Sequence, residues 1–369
     1  MPFADEMISA STAAALARAI AAATPGAGLP RLRESPGLLA DLTLRERADL
    51  LRDALLADVP GGYDDLARVV RAARDAAPSF DGWMMWPVTA AVATRAVDDG
   101  GTAAFDDAMG LLAELTGLLT SEFAIRTLVR HAPERALAIV LTWTGSDDTH
   151  VRRLASEGTR PYLPWAVRVP ELTRTPGATV PVLDALYRDP AEYVRRSVAN
   201  HLNDLSRDHP ALVVETAARW LTDPDENTAW VVRRGLRTLV KRGDPGALGL
   251  LGFSATAASL RIDGPHLDRD TVAFGESVEL RSTVRNVSDE DVRLAIDYVV
   301  HHQKSNGSQR PTTFKLTTVS LRSGESIVLR KAHSFRPITT RRYYPGLHGI
   351  SLQINGIATE RAEFELVTG

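Results

Sequence analysis

Three stretches of this 369-residue chain begin alike, and their spacing constrains the fold more than any other feature. Val151-Arg152-Arg153, Val194-Arg195-Arg196 and Val232-Arg233-Arg234 each open a run in which apolar residues recur every three or four positions, at offsets of 43 and 38 residues. That periodicity describes an amphipathic helix. Roughly 40–47 residues is the length of a repeat built from a pair of helices. One such pair cannot bury its apolar face alone, so neighbours must stack into a curved solenoid whose concave side suits a long ligand. A weaker copy starts near Thr120 and includes Ile125-Arg126.

The helical pattern fills the first 255 residues. In Leu44–Leu56, Leu44, Ala48, Leu51 and Leu55 share one side and Arg45, Asp49, Arg52 and Asp53 the other. Prolines and glycines, among them Pro60-Gly61-Gly62, Gly100-Gly101, Pro133, Pro164, Pro170, Pro190, Pro210, Pro224 and Pro245, punctuate the helices at about the spacing of short connections. Asp189 and Pro190 are expected to cap and open the Val194 helix, with Val194, Val198 and Leu202 as its buried stripe. From Ala258 onward Val, Ile and Thr alternate with polar residues, in about seven short runs separated by clusters such as Ser323-Gly324-Glu325 and Asn355-Gly356. The chain therefore reads as multidomain, α then β. An α-solenoid of HEAT-like repeats over residues 1–255 precedes an immunoglobulin-like β-sandwich over 256–369.

The sequence has no cysteine, which excludes disulfides, thiol nucleophiles and Cys-ligated metals. The nine histidines show no ligand spacing, and no phosphate loop, dinucleotide fingerprint or serine elbow is present, so neither metal nor cofactor is expected. The apolar run Thr12–Thr24 is interrupted by Arg18 and follows Asp5-Glu6, unlike a signal peptide. A cytoplasmic monomer without membrane contact is the expectation. The net charge of −3 hides an asymmetry: residues 1–119 hold 10 Lys+Arg against 17 Asp+Glu, and residues 120–255 hold 18 against 16. The later part can carry a basic face.

The densest chemistry lies in HVRRLASEGTRPYLPW at 150–165. Arg153 and Glu157, four apart, share a helix face, and Pro161 and Pro164 can bend the chain to return Trp165 to that face. This is either an intra-helix ion pair beside a core tryptophan, or a carboxylate held by an arginine against an aromatic wall, fit for a cationic ligand. Glu122 opens the weaker repeat and is read into a first helical turn, where the helix dipole favours an anion. Asp204 follows Arg196 by two to three turns and reads equally as a solvated helix-end carboxylate. If the repeats align, Glu122, Glu157 and Asp204 converge from three successive units.

These segments, with MPFADE at the start, Trp86-Pro87, TSEFAIR at 120–126, EYVRRSVANHLNDLSRDHP at 192–210 and FRPITTRRYYPG at 335–346, give the resemblance. The chain resembles the AlkC branch of the HEAT-like alkylpurine DNA glycosylases, in the longer members with an appended immunoglobulin-like domain. The resemblance covers nearly the whole chain. It implies hydrolysis of the N-glycosidic bond of cationic bases, 3-methyladenine and 3-methylcytosine, in bent duplex DNA, without extrusion of the base. Glu122, Arg153, Glu157, Trp165 and Asp204 match the lesion-facing positions. Leu154 stands where an aromatic is common and Tyr162 where arginine is.

Under that resemblance Arg153 orients Glu157, and the three carboxylates steady an oxocarbenium-like sugar. Arg152, Arg160, Arg195, Arg196, Asn200, His201, Arg233, Arg234 and Lys241 are expected to meet DNA on the concave side. Lys304, Asn306, Arg336, Arg341 and Arg342 are expected to do so from loops of the β domain. A non-catalytic HEAT scaffold for protein partners, and a lesion-binding protein without catalysis, are the competing readings.

Overall fold

A computed structural model describes residues 4–253, 259–338 and 342–368. The expected junction at 255/256 and Arg341 lie outside these residues. The chain divides into two compact units between Gly235 and Leu236. Among the described residues no helix is long and apolar enough to cross a membrane.

The described residues of the first unit form helices joined by turns and irregular segments, with no strand among them. Leu44–Asp58 begins at Thr43, whose hydroxyl accepts from the Glu46 amide while the Glu46 carboxylate receives the Thr43 amide, a reciprocal cap that satisfies two otherwise orphaned donors. Ala48, Leu51 and Leu55 are buried on its inner face, as their spacing requires. The three Val-Arg-Arg helices are Thr149–Glu157, Glu192–Leu205 and Thr228–Gly235, and each packs on the next. Their seam is made by Leu154, then Val194, Val198 and Leu202, then Val231 and Val232, all buried. Gly235 lets the last pair close up, because a Cβ there would lie 2.7 Å from Leu202 Cδ2.

Pro133, Pro170 and Pro210 stand in the first turn of helices, where a missing N–H costs nothing. The Val194 helix differs from expectation: it starts at Glu192, two residues beyond Pro190. Asp189 turns the chain before it, receiving the Ala191 amide and pairing with Arg152 of the preceding repeat.

Among its described residues the second unit has eight strands: β1 Leu260–Leu267, β2 Thr271–Ala273, β3 Ser277–Asn286, β4 Val292–Gln303, β5 Gln309–Leu321, β6 Ser326–Ser334, β7 Gly346–Ile354 and β8 Ile357–Val367. One sheet runs β1-β3-β6 and the other β2-β8-β7-β4-β5; the short β2–β8 pair is parallel and the other described pairs are antiparallel. Inward residues of both sheets, among them Val278, Leu280, Val284, Ile296, Val300, Ile350, Leu352 and Phe364, form one core. Alternation of this kind is what a two-sheet sandwich demands.

Two short helices, Arg237–Arg242 and Pro245–Leu250, belong to this unit although their composition matches the helical region. Arg293 of β4 donates to the Leu251 carbonyl at 2.8 Å and lies over the Phe253 ring. Gln353 of β7 donates to the carbonyl of Lys241. Gly243, a left-handed helix terminus, lies close against Gly356 in the Asn355-Gly356 turn of the β7–β8 hairpin, where both turn residues have positive φ. A Cβ on Gly356 would stand 1.8 Å from Gly243 Cα. Gly356→Ala is therefore expected to lower stability by about 3 kcal/mol or more. Gly324→Ala, at a similar φ in open space, carries only the backbone strain, of order 1 kcal/mol. Urea unfolding of the two variants checks this, and equal midpoints would remove the contact as the cause.

Candidate active site

The helix Thr149–Glu157 ends where Gly158 begins the turn, and the chain then runs irregularly to Pro170. Gly158 is required there by a close approach rather than by its φ, since a Cβ would lie 2.7 Å from Ile125 Cγ2 and 3.0 Å from the Leu154 carbonyl. The glycine brings the start of the helix Ile125–His131 against the end of the Glu157 helix. Glu122 lies in the turn just before Ile125, not in a first helical turn as expected.

The three carboxylates are linked by two arginines. Arg153 Nη1 donates to Glu122 Oε2 at 2.6 Å and to Thr120 Oγ1 at 2.9 Å, and its Nη2 lies 3.5 Å from Glu157 Oε1. Arg160 Nη1 donates to the same Glu157 oxygen at 2.6 Å, while its Nε and Nη2 grip both oxygens of Asp204 at 2.9 and 3.2 Å. Ser197 Oγ, from the next repeat, donates to Glu157 Oε2 at 2.6 Å. Arg153 thus serves Glu122 first, and Arg160 is the main partner of Glu157.

Glu122, Glu157 and Arg160 are all buried. Burial raises the Asp204 carboxyl above the usual aspartate range, and the Arg160 fork offsets this only in part. Burial would lower the Arg160 guanidinium, but its bonds to Asp204 and the nearby Glu157 carry it upward. A desolvated, fully bonded network of this kind holds its members in one geometry.

Against this acidic floor stands an apolar wall. A cleft of about 280 Å³ is lined by Glu122, Glu157 and Arg160 together with Trp83, Phe123, Leu163, Pro164 and Trp165. Phe123 stacks on Trp86 with ring centroids 4.4 Å apart. Trp165 is 47% exposed and sits at φ 62, a left-handed conformation unusual for a bulky residue. Its carbonyl is held by Arg45. Strain of this type persists where surrounding bonds enforce it, and it clusters at functional sites.

The structure gathers Glu122, Arg153, Glu157, Trp165 and Asp204 in one place. It adds Arg160, expected among the DNA contacts, and Trp83, Thr120, Phe123, Leu163 and Ser197, which the sequence does not single out. Ser197, a small polar residue beside the buried Val198, and Thr120, a hydroxyl two residues before Glu122, were the available signals.

Several expected DNA contacts are corrected. His201 is completely buried, its ring nitrogens engaged by the Ser156 carbonyl at 2.9 Å and the Thr179 hydroxyl at 3.1 Å. Arg195 is buried and donates to the carbonyls of Asp189 and Pro190. Arg152 is spent on Asp189 and on the carbonyls of Ser146 and Asp147. Arg152 and His201 link neighbouring helical elements, and Arg195 ties the start of its own helix to the turn before it. Asn200 and Arg234 are half-buried, Arg234 over the Trp230 ring. Arg196, paired with Glu192, and Arg233 remain exposed, as do Lys241, Lys304, Arg336 and Arg342 in the second unit, Arg342 over Tyr344. Asn306 is exposed but caps its own turn through Ser308.

Burial pushes His201 down to about 3. A histidine with a depressed folded pKa stabilises the fold above its unfolded value of about 6.5, and that contribution is lost as the pH falls toward 3, at about 1.4 kcal/mol per pH unit. His201→Gln is expected to flatten this part of the stability profile. Urea midpoints measured between pH 7 and 4 check it, and a parallel profile would exclude His201 as the source.

Comparison with known proteins agrees with this architecture. Residues 261–368 match the family model for the C-terminal Ig-like domain of the uncharacterised protein YhaZ. YhaZ of Bacillus subtilis (strain 168) is 34% identical over 327 residues, 88% of each chain. The solved structure of Pseudomonas fluorescens alkylpurine DNA glycosylase AlkC, bound to DNA containing an abasic site analog, is similar with a TM-score of 0.88 and 33% identity, over 99% of this chain and 100% of that one. A helical repeat unit followed by an Ig-like domain, similar to both proteins along most of its length, makes this chain a member of the family of AlkC and YhaZ.

Proposed function

We propose that the chain is a DNA glycosylase that hydrolyses the N-glycosidic bond of cationic N-alkylated bases, such as 3-methyladenine and 3-methylcytosine, in double-stranded DNA. The observation that carries this reading is the convergence of Glu122, Glu157 and Asp204, from separate helical units, beside an exposed tryptophan. The similarity to AlkC supports the same chemistry.

Alkylation gives the base a formal positive charge, so the leaving group needs little protonation. As the bond from C1′ to the base nitrogen breaks, its electron pair leaves with the base and cancels that charge. The sugar becomes oxocarbenium-like, water adds its oxygen at C1′, and the water proton passes to a carboxylate. Glu157 and Asp204, ordered by Arg160, would supply the negative potential that favours this state. The described bonds to the Glu122 carboxylate fall on Oε2, so its Oε1 is the oxygen we assign to the water. Trp165 and Phe123 would face the cationic base, where ring faces attract positive charge. Pro164 and Trp165 are exposed and leave the cleft open, which supports attack on a base that stays in the duplex.

Arg196, Arg233 and Arg234 of the helical unit, and Lys241, Lys304, Arg336, Arg341, Arg342 and Asn306 of the second, are proposed to meet phosphates. Incubation with methylated duplex and chromatography of the released bases tests the whole reading. Free 3-methyladenine or 3-methylcytosine is expected. Tight binding without release would leave a lesion sensor, and neither binding nor release would leave a protein scaffold.

A further inference from the structure

The least explained charge near the cleft is Arg126. It is completely buried, in the first turn of the helix Ile125–His131, and no carboxylate pairs with it among the described residues. Its donors go instead to backbone. Nε donates to the Val167 carbonyl at 2.7 Å, and Nη1 to the carbonyls of Arg160 at 2.8 Å and Gly158 at 3.2 Å, while Nη2 has no partner among the described residues. Burial, with Arg168 and Arg160 nearby, lowers this guanidinium to about 10.

A buried cation without an anion costs stability, and a neutral side chain of similar volume would avoid that cost. Three carbonyls of one irregular segment would then lose their donor. Gly158 lies at one end of that segment and Val167 near the other; Arg160 and Trp165 lie between them. No other side chain among the described residues bonds the segment at both ends.

We infer that Arg126 is a positioning residue, a clasp on the 158–167 segment that fixes Arg160 between Glu157 and Asp204 and holds Trp165 over the cleft. It touches neither base nor sugar and acts through the residues it places. This rests on the glycosylase reading for its catalytic consequence, but not for the clasp itself.

The test uses the full-length protein with Arg126→Lys and Arg126→Met. Lysine keeps the charge but cannot span three carbonyls, and methionine keeps the apolar stem. Amide hydrogen exchange is expected to accelerate across 158–168 in both variants and stay parental elsewhere in the helical unit. Single-turnover base release at saturating enzyme is expected to fall about a hundredfold, as misplacement on the ångström scale can cause, with affinity for the same duplex unchanged. A lysine variant with parental exchange and parental rate overturns the inference. So does acceleration spread evenly through the helical unit, which marks lost stability rather than a lost clasp. If the parent protein releases no base, the glycosylase reading falls, while the exchange comparison still decides whether Arg126 clasps the segment.

Discussion

Glu157→Gln is expected to slow single-turnover release of alkylated bases about a hundredfold, in the range found when one preorganised electrostatic group is removed from a desolvated site. The substitution keeps volume and shape. Its amide oxygen can still receive Arg160 Nη1, and its amide nitrogen can donate to Ser197, whose hydroxyl rotates to accept. What disappears is one unit of negative charge at the centre of the network. The starting complex, with the base still bonded, carries its positive charge on the base; at the barrier that charge has moved to the sugar. A carboxylate near C1′ therefore favours the barrier over the bound state, and its loss lowers the rate rather than the affinity. The check is base release under single-turnover conditions, beside duplex affinity and unfolding temperature. A parental rate in a folded variant would return Glu157 to the role of an ion-pair partner.

The parts of this molecule that follow from periodicity were readable in the sequence. Val194, Val198 and Leu202 are a buried stripe because three- and four-residue spacing puts them on one helix face, and the Asn355-Gly356 turn is a hairpin because those residues accept positive φ. What depends on the neighbouring repeat was not readable. Arg152 and Arg195 look like a basic strip in one dimension. In three, one reaches Asp189 of the next repeat and the other the carbonyls that precede its own helix. His201 adjoins the apolar stripe and is drawn into the seam, where Ser156 and Thr179 from other elements satisfy it. The helices after Leu236 carry the composition of the solenoid but pack with the sandwich, where Gly243 meets Gly356, Arg293 meets Leu251 and Gln353 meets Lys241. In the site itself, the four-residue spacing drew attention to Arg153 and Glu157. The shorter bond to Glu157 comes from Arg160, beyond the end of the helix, where spacing rules no longer apply.

Arg160 is also where the two ways of reading this chain part most sharply. As a DNA contact it would neutralise a phosphate. Its replacement by alanine would then weaken binding to every duplex and reduce the slope of log affinity against log salt by about 0.9. The geometry argues otherwise, because its donors are occupied by Glu157 and by both oxygens of Asp204, and it is buried. Arg160→Ala is expected to leave the salt slope unchanged and to destabilise the helical unit by about 3–5 kcal/mol, the cost of stripping the cation from a buried ionic network. The two carboxylates, left without it, relieve their repulsion by taking up a proton, and burial already favours the protonated form of Asp204. A protonated Asp204 cannot steady an oxocarbenium-like sugar, so base release falls steeply even in the folded fraction. Arg160→Lys separates charge from geometry. It returns one cation but cannot bridge two carboxylates, so it is expected to recover stability in part and rate hardly at all. Salt titrations of duplex binding, urea unfolding and single-turnover release on these two variants decide the matter. A reduced salt slope with parental stability would place Arg160 on the phosphate backbone and leave Glu157 and Asp204 without the link that makes them one site.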